Sequence, residues 1–476
     1  MKILMLSWEY PPQVVGGLGR HVADLSEALA KMGHEIHVLT SDCKGAPTTE
    51  KIRGVFVHRQ AVFGPGGRDF VESVTHLNVQ MLEVALRLLV EGHSFDLIHG
   101  HDWLAVYAGK ALKHGLVKPL VATIHATEFG RNHGLHNDLQ RQISNLEWWL
   151  AYEAWRVICC SEYMQSEIQY IFQVPQDKLR ILPNGVKVED FSVPDNSDAR
   201  SFRRQYAADH ERIIFFVGRL VHEKGVDTLI DAVPYVLEQF GNAKFIIAGK
   251  GPAKFALKEK VARLGIQQSV YFTGFVDDDS RNKLYGCSDV AVVPSHYEPF
   301  GIVALEAMAA KVPVVVSDTG GLREIVRHAQ NGLRAYPGNA HSLADNILAY
   351  LKAPKFAEYI KRQALQDVQD KYSWSLIASQ TEAVYKEVLD EFTKSPWAKM
   401  GGFPQEGILA KTRLSAQGVE SRYQDTGNSA PTLPLEFVPP IRKDSYQRPL
   451  GMGVPESLGN DVDLRRQHPA GGGSST

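Results

Sequence analysis

At 476 residues, with 44% hydrophobic and 22% charged side chains, the chain is globular and too long for one ordinary core, so two cores with extra segments are expected. A net charge of −2 excludes a global field for nucleic acid or an anionic membrane, and no run approaches the roughly 20 apolar residues of a spanning helix. Cys43, Cys159, Cys160 and Cys287 lack metal spacing, the pair Cys159-Cys160 reads as buried thiols, and the run Ile3 to Leu6 is too short for a secretory signal; a soluble, cytoplasmic protein is expected.

Lys2 to Trp8 reads as a buried strand, followed by the Gly16-Gly17-Leu18-Gly19 loop, a helix from about His21 to Met32 stopped by Gly33, and a strand from Glu35 to Thr40. Asp96 to His99, Leu120 to His125 and Arg156 to Cys160 are further strands, and their spacing by helices predicts βαβ units in a parallel sheet. Val193 to Ser201, rich in turn formers, is the expected hinge. The same grammar then restarts: strand Ile213 to Val217, loop Gly218 to Gly225, helix Asp227 to Phe240, and strands Lys244 to Ala248, Val290 to Pro294 and Val312 to Ser317. A long helix from Ser375 to Lys394 is expected to be anchored by Tyr372 and Trp374. The predicted division is therefore 1–192, 193–371, a final helix in 372–396 and a disordered tail, 397–476, rich in Gly, Pro, Ser, Gln and Arg.

Open α/β sheets bind ligands at the carboxyl ends of their strands, and the informative loops all leave such ends. Glu298-Pro299-Phe300-Gly301-Ile302 opens a helix containing Glu306. Its amides and helix start suit a phosphate, and its carboxylates, acceptors only, suit sugar hydroxyls, so the stretch reads as a nucleotide-sugar pocket. Gly16 and Gly17 either admit an anion or make only a tight turn. Arg219 offers a planar fork and Lys224 a point charge on one strand-end loop, as a diphosphate requires. His125 closes a strand, where an imidazole either serves a sugar or is satisfied in the core. His99-Gly100-His101-Asp102 puts imidazoles at i, i+2 on one face, but no third and fourth metal ligand suggests itself, so no metal is expected. Thr319-Gly320-Gly321 either lies against donor phosphates or packs tightly.

Together, Gly16-Gly17, His125, Arg219 with Lys224, Glu298-Pro299-Phe300-Gly301 with Glu306, and Thr319-Gly320-Gly321 resemble the retaining glycosyltransferases of family 4, over about residues 1 to 395. The resemblance implies two Rossmann-like domains facing a cleft (the GT-B fold), an acceptor-side first domain, a donor-binding second domain and a final helix crossing back. It implies that Arg219 and Lys224 bind the donor diphosphate and that Glu298 contacts sugar hydroxyls. The amides of Phe300, Gly301 and Ile302 would bind sugar or phosphate, Glu306 the ribose, Gly16 and Gly17 the diphosphate, and His125 would lie by the reacting sugar. His101, Asp102, Thr319 and Gly320 are candidates for acceptor contacts or for support. No metal or other cofactor is then needed.

Within the family, Ser7-Trp8-Glu9-Tyr10-Pro11-Pro12, His101-Asp102-Trp103 and Thr319-Gly320-Gly321-Leu322 are similar to glycogen and starch synthases. Bacterial glycogen synthases carry a lysine just before the paired glycines, where Val14-Val15 stand here, so a glucosyltransferase with another carbohydrate acceptor stays open. So do a mannosyl- or other hexosyltransferase, a same-fold epimerase, and a binding protein that keeps the pocket without transfer. The acceptor loops are expected at Phe63 to Asp69 and Glu128 to Asn137; donor base, acceptor and oligomeric state are not encoded legibly.

Overall fold

Apolar runs alternating with amphipathic helices demand sheets covered on both faces. A computed structural model, describing residues 1–14, 16–61, 70–191 and 197–400, contains two of them. In the first lobe β1 (Lys2–Leu6), β2 (Glu35–Ser41), β3 (Thr49–Ile52), β4 (Val55–Gln60), β5 (Leu97–His101), β6 (Leu120–Ile124), β7 (Arg156–Cys159) and β8 (Leu179–Ile181) pair in the order β3-β4-β2-β1-β5-β6-β7-β8. Only β3 runs antiparallel to its neighbour. In the second lobe β9 (Arg212–Val217), β10 (Ala243–Ala248), β11 (Val270–Gly274), β12 (Val290–Val293), β13 (Val314–Ser317) and β14 (Leu333–Ala335) pair in parallel as β11-β10-β9-β12-β13-β14. Strands such as β12 and β13 are buried along their whole length, as helices on both sides require.

The inner strand β4 and the sheet edges β3, β8, β11 and β14 are the strands that the hydrophobic pattern does not predict, and the four edges differ from β4. The edges are short and only partly buried, so pairing defines them rather than apolar pattern. The first expected strand ends at Leu6 instead of Trp8 because the Ser7 hydroxyl donates to the Glu9 carbonyl at 2.7 Å and turns the chain. Of the expected hinge, residues 192–196 lie outside the described residues, and the chain is already helical over Ser197–Arg204.

The last helix, Trp374–Lys394, crosses back to the first lobe. The Ser373 hydroxyl caps it at the Leu376 amide (3.4 Å), and the Trp374 ring is buried against Gly185. Tyr385 lies 2.7 Å from His99 Nδ1, and Glu387 and Glu391 pair with Arg156. At the expected start of the tail, Trp397–Met400 still form one turn with Trp397 stacked 6.1 Å from Trp155; the expectation for 401–476 falls outside the described residues. One buried apolar cluster runs from Leu4 and Ile98 of the first lobe to Phe300 and Leu305 of the second, so the lobes share a core as well as a cleft. Cys159 and Cys160 are buried free thiols. No described helix is long and apolar enough to cross a membrane.

Candidate active site

The second-lobe wall forms at the ends of β9, β12 and β13. The loop after β9 brings the Lys224 ammonium to Glu298 Oε2 at 2.8 Å, and the Ser295 hydroxyl donates to the same oxygen at 3.1 Å. With the two charged side chains only 21% and 12% exposed, water screens this pair weakly, and it acts as a fixed dipole rather than a solvated contact. Arg219 leaves the same loop but is 47% exposed and pairs with Glu223 at 3.2 Å; the structure does not join it to Glu298.

The shape of the Glu298 loop is set from behind. Gly320 has φ +48, and a Cβ there would sit 2.1 Å from the Glu298 carbonyl oxygen. The Gly321 amide donates to that carbonyl at 2.9 Å, and the Thr319 hydroxyl to the His296 carbonyl at 3.1 Å. Thr319 and Gly320 thus scaffold the Glu298 loop, as the packing reading of this glycine loop expects.

Gly301 caps the helix Ile302–Ala309; its carbonyl already takes the Ala304 amide at 2.9 Å, so the amides at the very start, from Ile302, are the ones aimed outward. Glu306 on that helix is buried, with Arg20 Nη1 at 3.2 Å, the Tyr285 hydroxyl at 3.2 Å and Arg281 at 3.7 Å. Burial raises its pKa, with Arg20 opposing. The residue expected to hold a ribose is thus held across the cleft by the first lobe, since Arg20 also pairs with Asp278 at 2.6 Å. Sequence reasoning missed Arg20, Tyr285 and Arg281; Arg20, next to the Gly16–Gly19 loop, was the one with a usable signal.

On the first-lobe wall, Gly17 begins the helix Gly17–Lys31. A Cβ on Gly17 would lie 3.1 Å from Ile302 Cδ1, so the glycine lets two helix starts approach each other from opposite lobes. The Gly16 amide donates to Glu9 Oε2 at 3.2 Å. Two positive helix ends converging here suit a diphosphate better than either loop alone.

His125 stands just beyond β6, its amide donating to Asp102 Oδ1 at 2.7 Å. Its Nε2 lies 3.4 Å from His101 Nδ1, and its ring 4.7 Å from that of His21, whose Nδ1 is 2.6 Å from Asn184 Oδ1. Burial, aided by Arg131, pulls His125 down to about 3, and burial holds His21 and His101 well below their usual value, so these rings are neutral at pH 7. Asp102 has φ 57 and ψ 173, a strained conformation, and burial pushes its carboxyl up to about 6 against Arg131 and the His125 amide. Asp102 therefore positions the His125 loop.

The expected imidazole pair divides. His99 is satisfied in the core by Tyr385 at 2.7 Å and Thr123 Oγ1 at 2.8 Å, whereas His101 joins His21 and His125, with ring nitrogens all within 4.8 Å. The third ring that the sequence did not offer, His21, comes from a separate helix. Around this wall the lobes are clamped. The Ser161 hydroxyl donates to the Pro299 carbonyl at 2.6 Å, and the Tyr297 hydroxyl to Glu167 at 2.8 Å. Glu324 accepts from the Glu162 and Tyr163 amides, each at 2.9 Å.

This geometry has recognisable relatives. Residues 15–190 match the family described as Glycosyltransferase Family 4, and residues 198–367 match Glycosyl transferases group 1. An uncharacterised glycosyltransferase of Methanocaldococcus jannaschii is 42% identical over 394 residues, covering 82% of this chain and 99% of that protein. The chain belongs to glycosyltransferase family 4. This glycosyltransferase is also 35% identical over 399 residues to a glycogen synthase of Mycobacterium tuberculosis, covering 81% of the enzyme and 94% of the relative. The solved sucrose-phosphate synthase of Thermosynechococcus elongatus shares 25% identity at a TM-score of 0.71, over 82% of this glycosyltransferase and 99% of the neighbour. The paired parallel sheets are accordingly those of the GT-B fold.

Proposed function

We propose that this glycosyltransferase moves an α-glucosyl group, with retention of configuration, from a nucleoside diphosphate sugar to a hydroxyl of a carbohydrate acceptor. The observation that carries the reading is the shielded Lys224–Glu298 pair, 2.8 Å apart, beside the two converging helix starts at Gly17 and Ile302. As the bond from the anomeric carbon to the diphosphate oxygen breaks, charge gathers on the leaving phosphate. Lys224, Arg219 and the amides at Phe300, Gly301 and Ile302 stabilise that charge before any reorganisation is needed. Glu298 accepts from sugar hydroxyls, and neutral His125 exchanges hydrogen bonds with the reacting sugar without adding a competing cation. The acceptor oxygen bonds the anomeric carbon on the face the phosphate leaves, and its proton passes to the departing phosphate oxygen. Glu306 takes the ribose hydroxyls once they replace Arg20. With two cations on the diphosphate, no divalent metal is required, and turnover in EDTA should equal turnover with magnesium.

Likeness to a glycogen synthase supports glucose as the sugar; Val14-Val15, at the place of that family's lysine, favours an acceptor other than a growing glycogen chain. Thermal shift across UDP-, ADP- and GDP-hexoses, followed by NMR of the product made with oligosaccharide acceptors, tests the reading. A glucosyl donor giving an α-linked product is expected. A β-linked product overturns retention, and epimerised sugar from donor alone overturns transfer.

A further inference from the structure

At the other end of the first sheet, away from the cleft, β2 opens with Glu35 and His37 on one face of the strand. The turn before β5 places His93 beside them. His37 Nε2 lies 3.5 Å from Glu35 Oε1, His93 Nδ1 lies 3.9 Å from the same oxygen, and the three ligand atoms are all within 4.8 Å of one another. His37 is 1% exposed, and its Nε2 and Glu35 Oε1 are both buried without a hydrogen-bond partner among the described residues. A buried, unsatisfied imidazole nitrogen facing a buried, unsatisfied carboxylate oxygen is costly unless something sits between them.

The ring is also held in the way a metal ligand is held. His37 Nδ1 lies 3.1 Å from His58 Nε2 on β4, a contact that fixes the ring; in the tautomer with His37 Nδ1–H donating to His58, the lone pair is on Nε2, facing Glu35 and His93. Phe56 stacks on His37 at 4.7 Å and Phe95 meets its edge at 5.3 Å, fixing the plane. A tetrahedral zinc with ligands at about 2.0–2.1 Å needs ligand atoms about 3.3–3.4 Å apart; the 3.5 and 3.9 Å separations from Glu35 Oε1 are near this, and the two imidazole nitrogens, within 4.8 Å of each other, draw together as the metal binds. Lys2 Nζ, at 3.9 Å from Glu35 Oε1 and 45% exposed, is free to swing to solvent as a metal enters.

We propose that Glu35, His37 and His93 form a zinc site that joins the start of β2 to the turn entering β5, across β1 between them. Two imidazole nitrogens and one carboxylate oxygen suit Zn2+, with the fourth position left to water. The site lies at the opposite ends of the strands from the cleft, so it serves the first lobe's integrity and not the transfer step.

The test is calorimetric titration of Zn2+ into the metal-stripped full chain, compared with H93A and E35Q. His93 is 36% exposed in a turn, so H93A is expected to fold even if E35Q does not. In the parent, one equivalent of zinc should bind and raise Tm; in H93A that equivalent should disappear or weaken at least tenfold, with its Tm shift. X-ray absorption of the bound metal should show two imidazoles and light oxygen ligands. No uptake by the parent, or uptake of equal affinity and stoichiometry in H93A, would overturn the site. So would an equivalent lost only on replacing His101.

Discussion

Across the cleft, the second lobe presents a shielded ammonium and carboxylate at Lys224 and Glu298 with Arg219 open beside them, whereas the first lobe presents His21, His101 and His125, all kept neutral by burial. Cationic walls on both sides would grip a diphosphate from either direction. On the proposed reading the phosphates lie toward Lys224 and the uncharged sugar toward the imidazoles, while the first lobe's cation, Arg20, is committed to Glu306 and Asp278. The same contrast separates the two glutamates of the second lobe. Glu298 is paired within its own lobe, while Glu306 is paired across the cleft to Arg20.

The strongest way to break the contrast is K224A. It removes the cation that the proposed chemistry relies on and should lower kcat roughly 10²–10³-fold, the scale of losing one preorganised electrostatic group. The fold should hold with a modest drop in Tm, because Glu298 loses its shielded partner; steady-state kinetics within a few fold of the parent would remove Lys224 from the leaving-group site. R20A comes next. It strips the buried Glu306 of its cross-cleft partner, leaves Arg281 at 3.7 Å, and should cost about 1–3 kcal/mol in urea unfolding. Unchanged stability would show that the lobes part at this contact in solution.

The gentlest probe is pH. The folded state holds His21, His99, His101 and His125 below the usual imidazole value, so the unfolded chain takes up protons first as pH falls through about 6.5, and stability drops on the acid side. Asp102, raised to about 6, runs the other way: it is protonated in the folded state between its unfolded value and 6, which offsets part of the loss. H101Q should make the acid limb shallower by up to about 1.4 kcal/mol per pH unit. An unchanged slope between pH 5 and 6.5 would mean that His101 is not held neutral.

Legibility differed between the walls for a physical reason. The charged wall is written locally: Lys224 and Glu298 each leave an apolar strand next to glycines, and their loops carry the chemistry in a few contiguous residues. The neutral wall is assembled from His21 on a helix, His101 ending β5 and His125 beyond β6, so its grouping is invisible to spacing. His99, the apparent partner of His101 in the chain, turned out to be committed to Tyr385 and Thr123. The proposed zinc ligands divide similarly, since Glu35 and His37 share a strand face but His93 lies in the segment entering β5.

What the sequence determined alone is most of the buried strands, β4 excepted, their parallel βαβ construction and the strand-end loops whose residue types read as phosphate and sugar chemistry, because two-fold and 3.6-fold periodicities and glycine placement are local properties. What only the tertiary structure decided is which groups meet across lobes: Arg20 with Glu306, Gly17 with Ile302, Ser161 with Pro299, and the ring of neutral imidazoles. Those meetings depend on how two sheets dock, and docking is set by the whole shared core rather than by any stretch of chain.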